Sequence, residues 1–164
     1  MAKITLKGNE INTNGELPKA IAPNFTLVKS DLSEVQLSDF KGKKVILNIF
    51  PSLDTAVCAS SVRKFNAELN ALPNVVVLCI SKDLPFANSR FCEVEGLKNV
   101  ISLSEFRDFN FSTAYGVSIV DGSLKGLMAR SVVVIDESGT IVFSELVPEI
   151  VQEPNYEAAL AVVK

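Results

Sequence analysis

The sequence has 164 residues and contains no histidine and no tryptophan. The lack of imidazole excludes Ser-His and Cys-His catalytic pairs, a histidine general base, and most zinc and non-haem iron sites. The 3 cysteines are too few for a disulfide-built scaffold. They form no Cys-x-x-Cys pair, which argues against a zinc ribbon or a thioredoxin-type dithiol. Any catalyst in this chain must therefore work without imidazole.

Charge and long apolar runs are also limited. The formal net charge is −3, which offers no basic field for nucleic acid. No run approaches the length that spans a bilayer, and the start has no secretory pattern. We expect a cytoplasmic protein without nucleic-acid or membrane partners. With 48% hydrophobic and 21% charged residues and no repeat or linker, residues 1–164 are predicted to form a single domain.

Alternating and apolar runs predict an α/β chain. Residues 3–7 and 10–13 alternate around a Gly8-Asn9 turn, which predicts a small N-terminal β-hairpin. Further strands are expected at 25–28, 44–50, 75–81, 100–103, 130–136 and 140–147, the last two as a hairpin. Helices are expected from Cys58 onward with an apolar stripe at Val62, Phe65, Leu69 and Leu72, from Pro85 to about Val94, weakly over 105–115, and over 154–163. This order predicts a central mixed sheet flanked by helices, compatible with a thioredoxin-like fold, although other α/β folds share it.

The loop between the strand at 44–50 and the first helix carries the candidate chemistry. Cys58 lies in the first helical turn, where free amides and the helix dipole favour thiolate, the nucleophilic form. Thr55 could place its hydroxyl near the Cys58 sulfur, and Pro51 would fix the loop and screen the sulfur from water. Taken alone, threonine before a helix is usually an N-cap and proline after a strand a terminator. Together with Cys58, they favour a reactive thiol.

These residues match a family signature. Pro51, Thr55 and Cys58 fit the Pro-x-x-x-Thr-x-x-Cys pattern of peroxiredoxins. The string NIFPSLDTAVCASSVRKFN resembles the thiol peroxidase branch, whose members reduce hydroperoxides through an atypical two-cysteine cycle. The likeness continues through VVVLCISKDLPFANSRFC, EGLKNVISLS and GLMARSVVVID, and so covers nearly the whole chain. Glu10 stands where many members carry proline. The resemblance implies a thioredoxin-like fold with an N-terminal hairpin.

The resemblance also implies roles for individual residues. Cys58 would be the peroxidatic cysteine, with Thr55 orienting sulfur and peroxide and Pro51 shielding them. Arg130 would be the guanidinium over the site, and a fixed cation there would stabilise thiolate and the charge on the departing oxygen. From sequence alone, an arginine at a strand start is more often a surface ion-pair residue.

By the same resemblance, Cys92 is the resolving cysteine, which would bond to Cys58 once peroxide has oxidised it to sulfenic acid. Two cysteines on separate helices usually lie farther apart than the roughly 7 Å Cα limit for a disulfide. We therefore expect local unwinding around both cysteines. Without the resemblance, Cys92 would be interpreted as a small buried helix residue. Cys79, inside an apolar strand, is interpreted as core packing.

The favoured interpretation is a peroxidase acting on hydrogen peroxide and alkyl hydroperoxides, regenerated by thioredoxin, with no metal, haem or flavin required. The resemblance implies a homodimer. A redox-responsive binding protein would use the same cysteines, and a cysteine hydrolase or transferase is disfavoured by the lack of histidine. The acids Asp54, Asp83 and Asp136 are scattered at loop positions and are interpreted as turn or cap residues.

Overall fold

The computed structural model describes residues 1–68 and 72–164. The strands are β1 (Lys3–Leu6), β2 (Asn9–Asn12), β3 (Thr26–Lys29), β4 (Glu34–Gln36), β5 (Lys44–Ile49), β6 (Val75–Ser81), β7 (Val100–Ser104), β8 (Ser131–Ile135) and β9 (Ile141–Leu146). The α-helices are α1 (Ala56–Glu68), α2 (Pro85–Glu95), α3 (Asn110–Ala114) and α4 (Tyr156–Ala161), and a 3₁₀ turn spans Leu37–Phe40. This arrangement confirms the predicted α/β class.

A seven-stranded mixed sheet forms the centre, in the order β4-β3-β7-β6-β5-β8-β9. Strands β5, β6 and β7 are mutually parallel, whereas β3 pairs with β7, and β8 with β5, in antiparallel fashion. Strands β1 and β2 make the separate N-terminal hairpin that the sequence predicts. The parallel strands all end at one edge of the sheet, and β8 begins there, since Ser131 pairs with Ile49.

Both faces of the sheet are buried, because alternate residues of β5 belong to two different apolar clusters. Its residues Val45, Leu47 and Ile49 belong to one apolar cluster together with Phe111 of α3. Ile46, and Phe50 just beyond the strand, belong to a second cluster. Because successive strand residues point to opposite faces, a continuous apolar run fits a strand covered on both sides.

The second cluster also contains buried residues of the covering helices. Val62 and Phe65 come from α1, and Ala159 and Leu160 come from α4. These α1 residues confirm the apolar stripe as far as Phe65. Leu69, the next member of that stripe, lies outside the described residues. Leu72 is partly buried against the same cluster but lies beyond the bounds of α1.

Three predicted elements differ in detail. The hairpin turn is Lys7-Gly8 rather than Gly8-Asn9, because both residues take positive φ (50° and 83°), the geometry of a tight two-residue turn. The weak helix expected at 105–115 shortens to α3, since the positive φ of Asp108 (54°) interrupts a right-handed helix. Helix α4 starts later than expected, because the Asn155 side chain caps it by accepting a hydrogen bond from the Ala158 amide.

Candidate active site

Cys58 lies in the first turn of α1, over the edge where the parallel strands end. The chain leaves β5 at Ile49 and turns through Pro51 before α1 begins at Ala56. The Cys58 side chain is 0% exposed and belongs to the apolar cluster that covers this face. The first turn of a helix presents amides without intrahelical acceptors, together with the positive end of the helix dipole. The sequence prediction for the position of Cys58 thus agrees with the structure.

Arg130 directly contacts the Cys58 sulfur. Its Nη2 donates a hydrogen bond to Sγ of Cys58 at 3.2 Å, and its Nε donates to the carbonyl oxygen of Ile150 at 2.7 Å. The side chain is 2% exposed, and Nη1 is buried with no hydrogen-bond partner. The surface ion-pair interpretation of Arg130 is therefore wrong. The structure brings together two residues that are 72 positions apart in the sequence.

The buried guanidinium of Arg130 has no carboxylate partner among the ion pairs of the described residues. Arginine stays protonated in proteins, and a buried charge without a counter-charge is costly. The atoms that accept its hydrogen bonds are a neutral carbonyl and the Cys58 sulfur. A thiolate at Cys58 would supply the missing negative charge.

Thr55 and Pro51 occupy the connecting loop. Pro51 is buried directly after β5, whereas Thr55 is exposed just before α1. The Thr55 hydroxyl donates to the carbonyl oxygen of Ser52 at 3.0 Å. Its single hydrogen is therefore engaged within the loop, and its lone pairs remain available to accept a hydrogen bond. In this conformation the Thr55 hydroxyl stabilises the loop through its bond to Ser52, and donation to the Cys58 sulfur would require the hydroxyl to rotate.

The loop is anchored by a residue to which the sequence prediction gave only a turn role. One carboxylate oxygen of Asp83 accepts from the Ser52 hydroxyl at 2.7 Å. The other accepts from the Leu53 amide at 2.8 Å and from the Ser81 hydroxyl at 2.7 Å. Asp83 follows β6, which is parallel to β5 and ends at the same sheet edge. Two parallel strands that end at the same sheet edge bring the residues after them together, and this was the feature of the sequence that could have predicted the contact.

The other two cysteines lie on the same face of the sheet as Cys58. Cys79 on β6 is in register with Asn48 of β5 on one side and Ser102 of β7 on the other. The Cys92 sulfur lies 3.4 Å from the Ser102 hydroxyl, which places α2 against β7. On the α1 side, Asn48 donates to the Ser61 hydroxyl at 3.1 Å, which places α1 against β5. All three cysteines are free thiols in this structure.

The anchoring strands β5 and β7 are separated by β6, so α1 and α2 are held about two strand spacings apart, roughly 10 Å. A disulfide joins sulfurs that are about 2 Å apart. Because a disulfide needs Cα atoms within about 7 Å of each other, we still expect a bond between Cys58 and Cys92 to require movement of one or both helical segments.

Cys79 is unsuited to nucleophilic attack. Burial, only partly offset by a hydrogen bond from Asn48, raises the pKa of the Cys79 thiol to about 12. A thiol with this pKa carries almost no thiolate at neutral pH, and the side chain is 2% exposed. Both observations fit the predicted core-packing role.

Tyr156 at the start of α4 is a further neighbour that the sequence prediction missed. Burial, followed by the charge of Glu153, raises the pKa of Tyr156, which also lies within electrostatic range of Arg130 and Cys58. Its ring packs edge-on against Phe65 of α1, with ring centroids 5.3 Å apart. Tyr156 is therefore packed against the same apolar cluster as Cys58, and no sequence motif marked it.

Two features bear on other classes of function. Within residues 1–68 and 72–164, no group of three or more acidic, cysteine or histidine side chains is arranged to hold a metal ion. Over the same ranges, no helix has the length and apolar character needed to cross a membrane.

Comparison with known proteins agrees with this geometry. Residues 18–160 match the model of the Redoxin family. The chain belongs to the Redoxin family. It is 58% identical over 163 residues to the thiol peroxidase of Mycobacterium tuberculosis, with 98% of each chain covered. The resemblance to the thiol peroxidase branch of the peroxiredoxins is thereby confirmed, and the chain is a peroxidase enzyme of the peroxiredoxin type.

Solved structures support the Redoxin fold assignment. A peroxiredoxin-like protein from Aquifex aeolicus superposes with a TM-score of 0.93 at 38% identity, covering 99% of this chain and 96% of that one. Thiol peroxidase from Chromobacterium violaceum superposes with a TM-score of 0.90, covering 99% of this chain and 95% of that one, and at 20% identity it supports the fold alone. The predicted thioredoxin-like architecture is confirmed.

Proposed function

We propose that this enzyme reduces hydrogen peroxide and alkyl hydroperoxides with Cys58 as the attacking nucleophile. The buried contact between the Arg130 guanidinium and the Cys58 sulfur, at 3.2 Å, carries this proposal. The guanidinium and the first-turn amides of α1 both favour the thiolate. Because no imidazole exists in the chain, these groups replace the histidine that activates many other catalytic cysteines.

In the first step, the Cys58 thiolate attacks one oxygen of the hydroperoxide. A sulfur–oxygen bond forms while the oxygen–oxygen bond breaks, which leaves a sulfenic acid and an alkoxide or hydroxide that takes a proton from solvent. The unpartnered Nη1 of Arg130 is available to donate to the oxygen that gains charge. The Thr55 hydroxyl is available to accept the hydroperoxide O–H, and Pro51 limits the access of water to the loop.

In the second step, Cys92 resolves the sulfenic acid. The Cys92 sulfur attacks the Cys58 sulfur, water leaves and a disulfide forms. The separation of α1 and α2 means that this step follows local opening of the segments around both cysteines. A dithiol of the thioredoxin type then reduces the disulfide by exchange, in the reducing cytoplasmic setting that such a reductant needs. The cycle uses no metal or organic cofactor.

A homodimer completes the proposal. Large apolar side chains are exposed close to the loop that contains Asp83: Phe86 is 66% exposed, and Phe109, 62% exposed, lies with its ring centroid 4.0 Å from the Lys82 ammonium. A patch of this kind on a water-soluble surface fits a protein contact. Light scattering should give twice the 17.7 kDa chain mass, and a monomer at tens of micromolar protein would contradict the dimer.

A turnover assay tests the proposed function. The purified protein, with thioredoxin, thioredoxin reductase and NADPH, should consume hydrogen peroxide and cumene hydroperoxide over many equivalents. A protein that served only as a redox-responsive binding partner would oxidise once and stop. Consumption that ends near one equivalent per chain, with reductant still present, would contradict the peroxidase cycle with thioredoxin. A parallel assay with dithiothreitol would then tell whether the reductant or the cycle is wrong.

A further inference from the structure

Asp83 ties together the two segments that carry the redox cysteines. Its carboxylate accepts hydrogen bonds from Ser52 and Leu53 in the loop before Cys58, at 2.7 and 2.8 Å. Asp83 itself stands two residues before Pro85, the first residue of α2, which carries Cys92. A carboxylate with three short hydrogen bonds is a stronger anchor than a neutral group in the same place.

The first turn of α2 has few capping contacts of its own. Its N-cap residue, Leu84, makes no side-chain capping bond, and Pro85 has no amide hydrogen. Leu84 is also 52% exposed. The polar anchoring at this end of α2 therefore comes from the contacts of Asp83 to Ser81 and to the Cys58 loop, together with the ion pair of Lys82 and Glu105.

We propose that Asp83 is a positioning residue that sets how readily the Cys58 loop and the start of α2 open for disulfide formation. The proposal rests on the peroxidase cycle described above. In the closed form, Asp83 keeps Cys58 buried beside Arg130, which is the arrangement that reacts with hydroperoxide. Opening requires the Ser52 and Leu53 contacts to break, so the strength of this anchor governs the fraction of opened molecules.

The opened fraction decides between two fates of the Cys58 sulfenic acid. In the opened form, Cys92 reaches the sulfenic sulfur, and a disulfide forms with loss of water. In the closed form, the sulfenic acid can instead meet a second hydroperoxide, whose oxygen–oxygen bond breaks to give a sulfinic acid and an alcohol or water. A weaker anchor should therefore speed resolution and protect Cys58 from overoxidation.

The size of the opened fraction also determines the rate at which the Cys58 thiolate reacts with hydroperoxide. Loss of a hydrogen bond to a charged group shifts an equilibrium about tenfold or more. If closed molecules strongly predominate in the wild type, a tenfold rise in the opened fraction leaves most molecules closed. The rate of reaction with peroxide then changes little while resolution accelerates about tenfold. A variant that merely damaged the site would slow the reaction of hydroperoxide with the thiolate and with the sulfenic acid alike.

The test uses Asp83→Asn, which keeps the size of the side chain but replaces one acceptor oxygen by a donor. Asp31→Asn is the matched control, because Asp31 is an exposed acid in the turn between β3 and β4 and accepts hydrogen bonds from Ser33 within that turn. Each reduced protein is treated with increasing hydrogen peroxide in the presence of the recycling system. Mass spectrometry gives the sulfinic fraction at Cys58 per turnover, and competition kinetics give the rate constant with peroxide.

We expect Asp83→Asn to lower the sulfinic fraction per turnover about tenfold, with the peroxide rate constant within about threefold of wild type. Asp31→Asn should match wild type in both measurements. An unchanged or higher sulfinic fraction in Asp83→Asn, or a fall in the peroxide rate constant as large as the fall in sulfinic acid, would overturn the proposal.

Ser52→Ala supplies a second test should Asp83→Asn fail to fold by circular dichroism. It removes one of the three hydrogen bonds to the Asp83 carboxylate and should shift the sulfinic fraction in the same direction by a smaller factor. The wild-type protein tests the proposed peroxidase cycle separately from the role of Asp83. If the wild type forms no bond between Cys58 and Cys92, the proposed function fails. If the wild type forms this bond and Asp83→Asn leaves the sulfinic fraction unchanged, only the role of Asp83 is contradicted.

Discussion

Replacement of Cys58 by serine should reduce hydroperoxide consumption to the uncatalysed background, a loss of at least about a thousandfold. A serine hydroxyl at this position stays protonated at neutral pH, so the dipole of α1 and the Arg130 guanidinium have no nucleophilic anion to stabilise. Consumption of cumene hydroperoxide, followed with the thioredoxin recycling system, measures the loss.

Cys79→Ser is the matched control, because it replaces a thiol on the same sheet face that is 2% exposed and has a raised pKa. Its turnover should stay within about threefold of wild type if the protein folds. Retained activity in Cys58→Ser would contradict the assignment of the nucleophile. A loss in Cys79→Ser as large as that in Cys58→Ser, with folding intact by circular dichroism, would require Cys79 to enter the mechanism.

Replacement of Arg130 by glutamine should lower the rate constant of Cys58 with hydrogen peroxide by about 10²–10³-fold, the usual effect of removing one preorganised donor from a developing oxyanion. The change removes the hydrogen bond at 3.2 Å to the Cys58 sulfur together with the charge that favours thiolate. Competition against a haem peroxidase for limiting hydrogen peroxide measures this rate constant directly.

Arg130→Lys should recover part of the loss, because lysine keeps the charge but not the planar fork that reaches both Ile150 and Cys58. Arg63→Gln is the control for losing an arginine elsewhere, since Arg63 pairs with Glu95 on the surface at 2.8 Å. A rate constant for Arg130→Gln within threefold of wild type would show that the guanidinium contact is structural.

Local patterns in the sequence were sufficient to predict most of the fold. The continuous apolar run predicts β5, which ends at Ile49, one residue before the predicted end. The helical stripe predicts the buried face of α1 at Val62 and Phe65. Glycine at 96 marks the end of α2 through its positive φ of 65°, as expected for a helix C-cap. The helix expected at 105–115 was wrong because a single backbone angle decided the outcome: the positive φ of Asp108 interrupts it.

The site was only partly predictable, because its key contacts are long-range. The position of Cys58 follows from local sequence, since a strand, a short loop and a helix place it in a first turn. The contact with Arg130 depends on β8 running antiparallel to β5, which brings the residue before Ser131 to the same sheet edge. Only family resemblance marked that arginine in advance. Asp83 and Tyr156 carried neither a local signature nor a predicted role in the site.

Mass mapping of the three cysteines after one equivalent of hydrogen peroxide shows which sulfur receives the peroxide oxygen. The reduced wild-type protein is oxidised, quenched with an alkylating agent, digested without reduction, and examined for disulfide-linked peptides and oxidised cysteines. We predict a disulfide between Cys58 and Cys92 with Cys79 alkylated after unfolding, and sulfenic acid at Cys58 in the Cys92→Ser variant. A wild-type protein that carries its oxidation on Cys79, or on Cys92 with Cys58 still a free thiol, would contradict the claim that the buried sulfur beside Arg130 receives the oxygen.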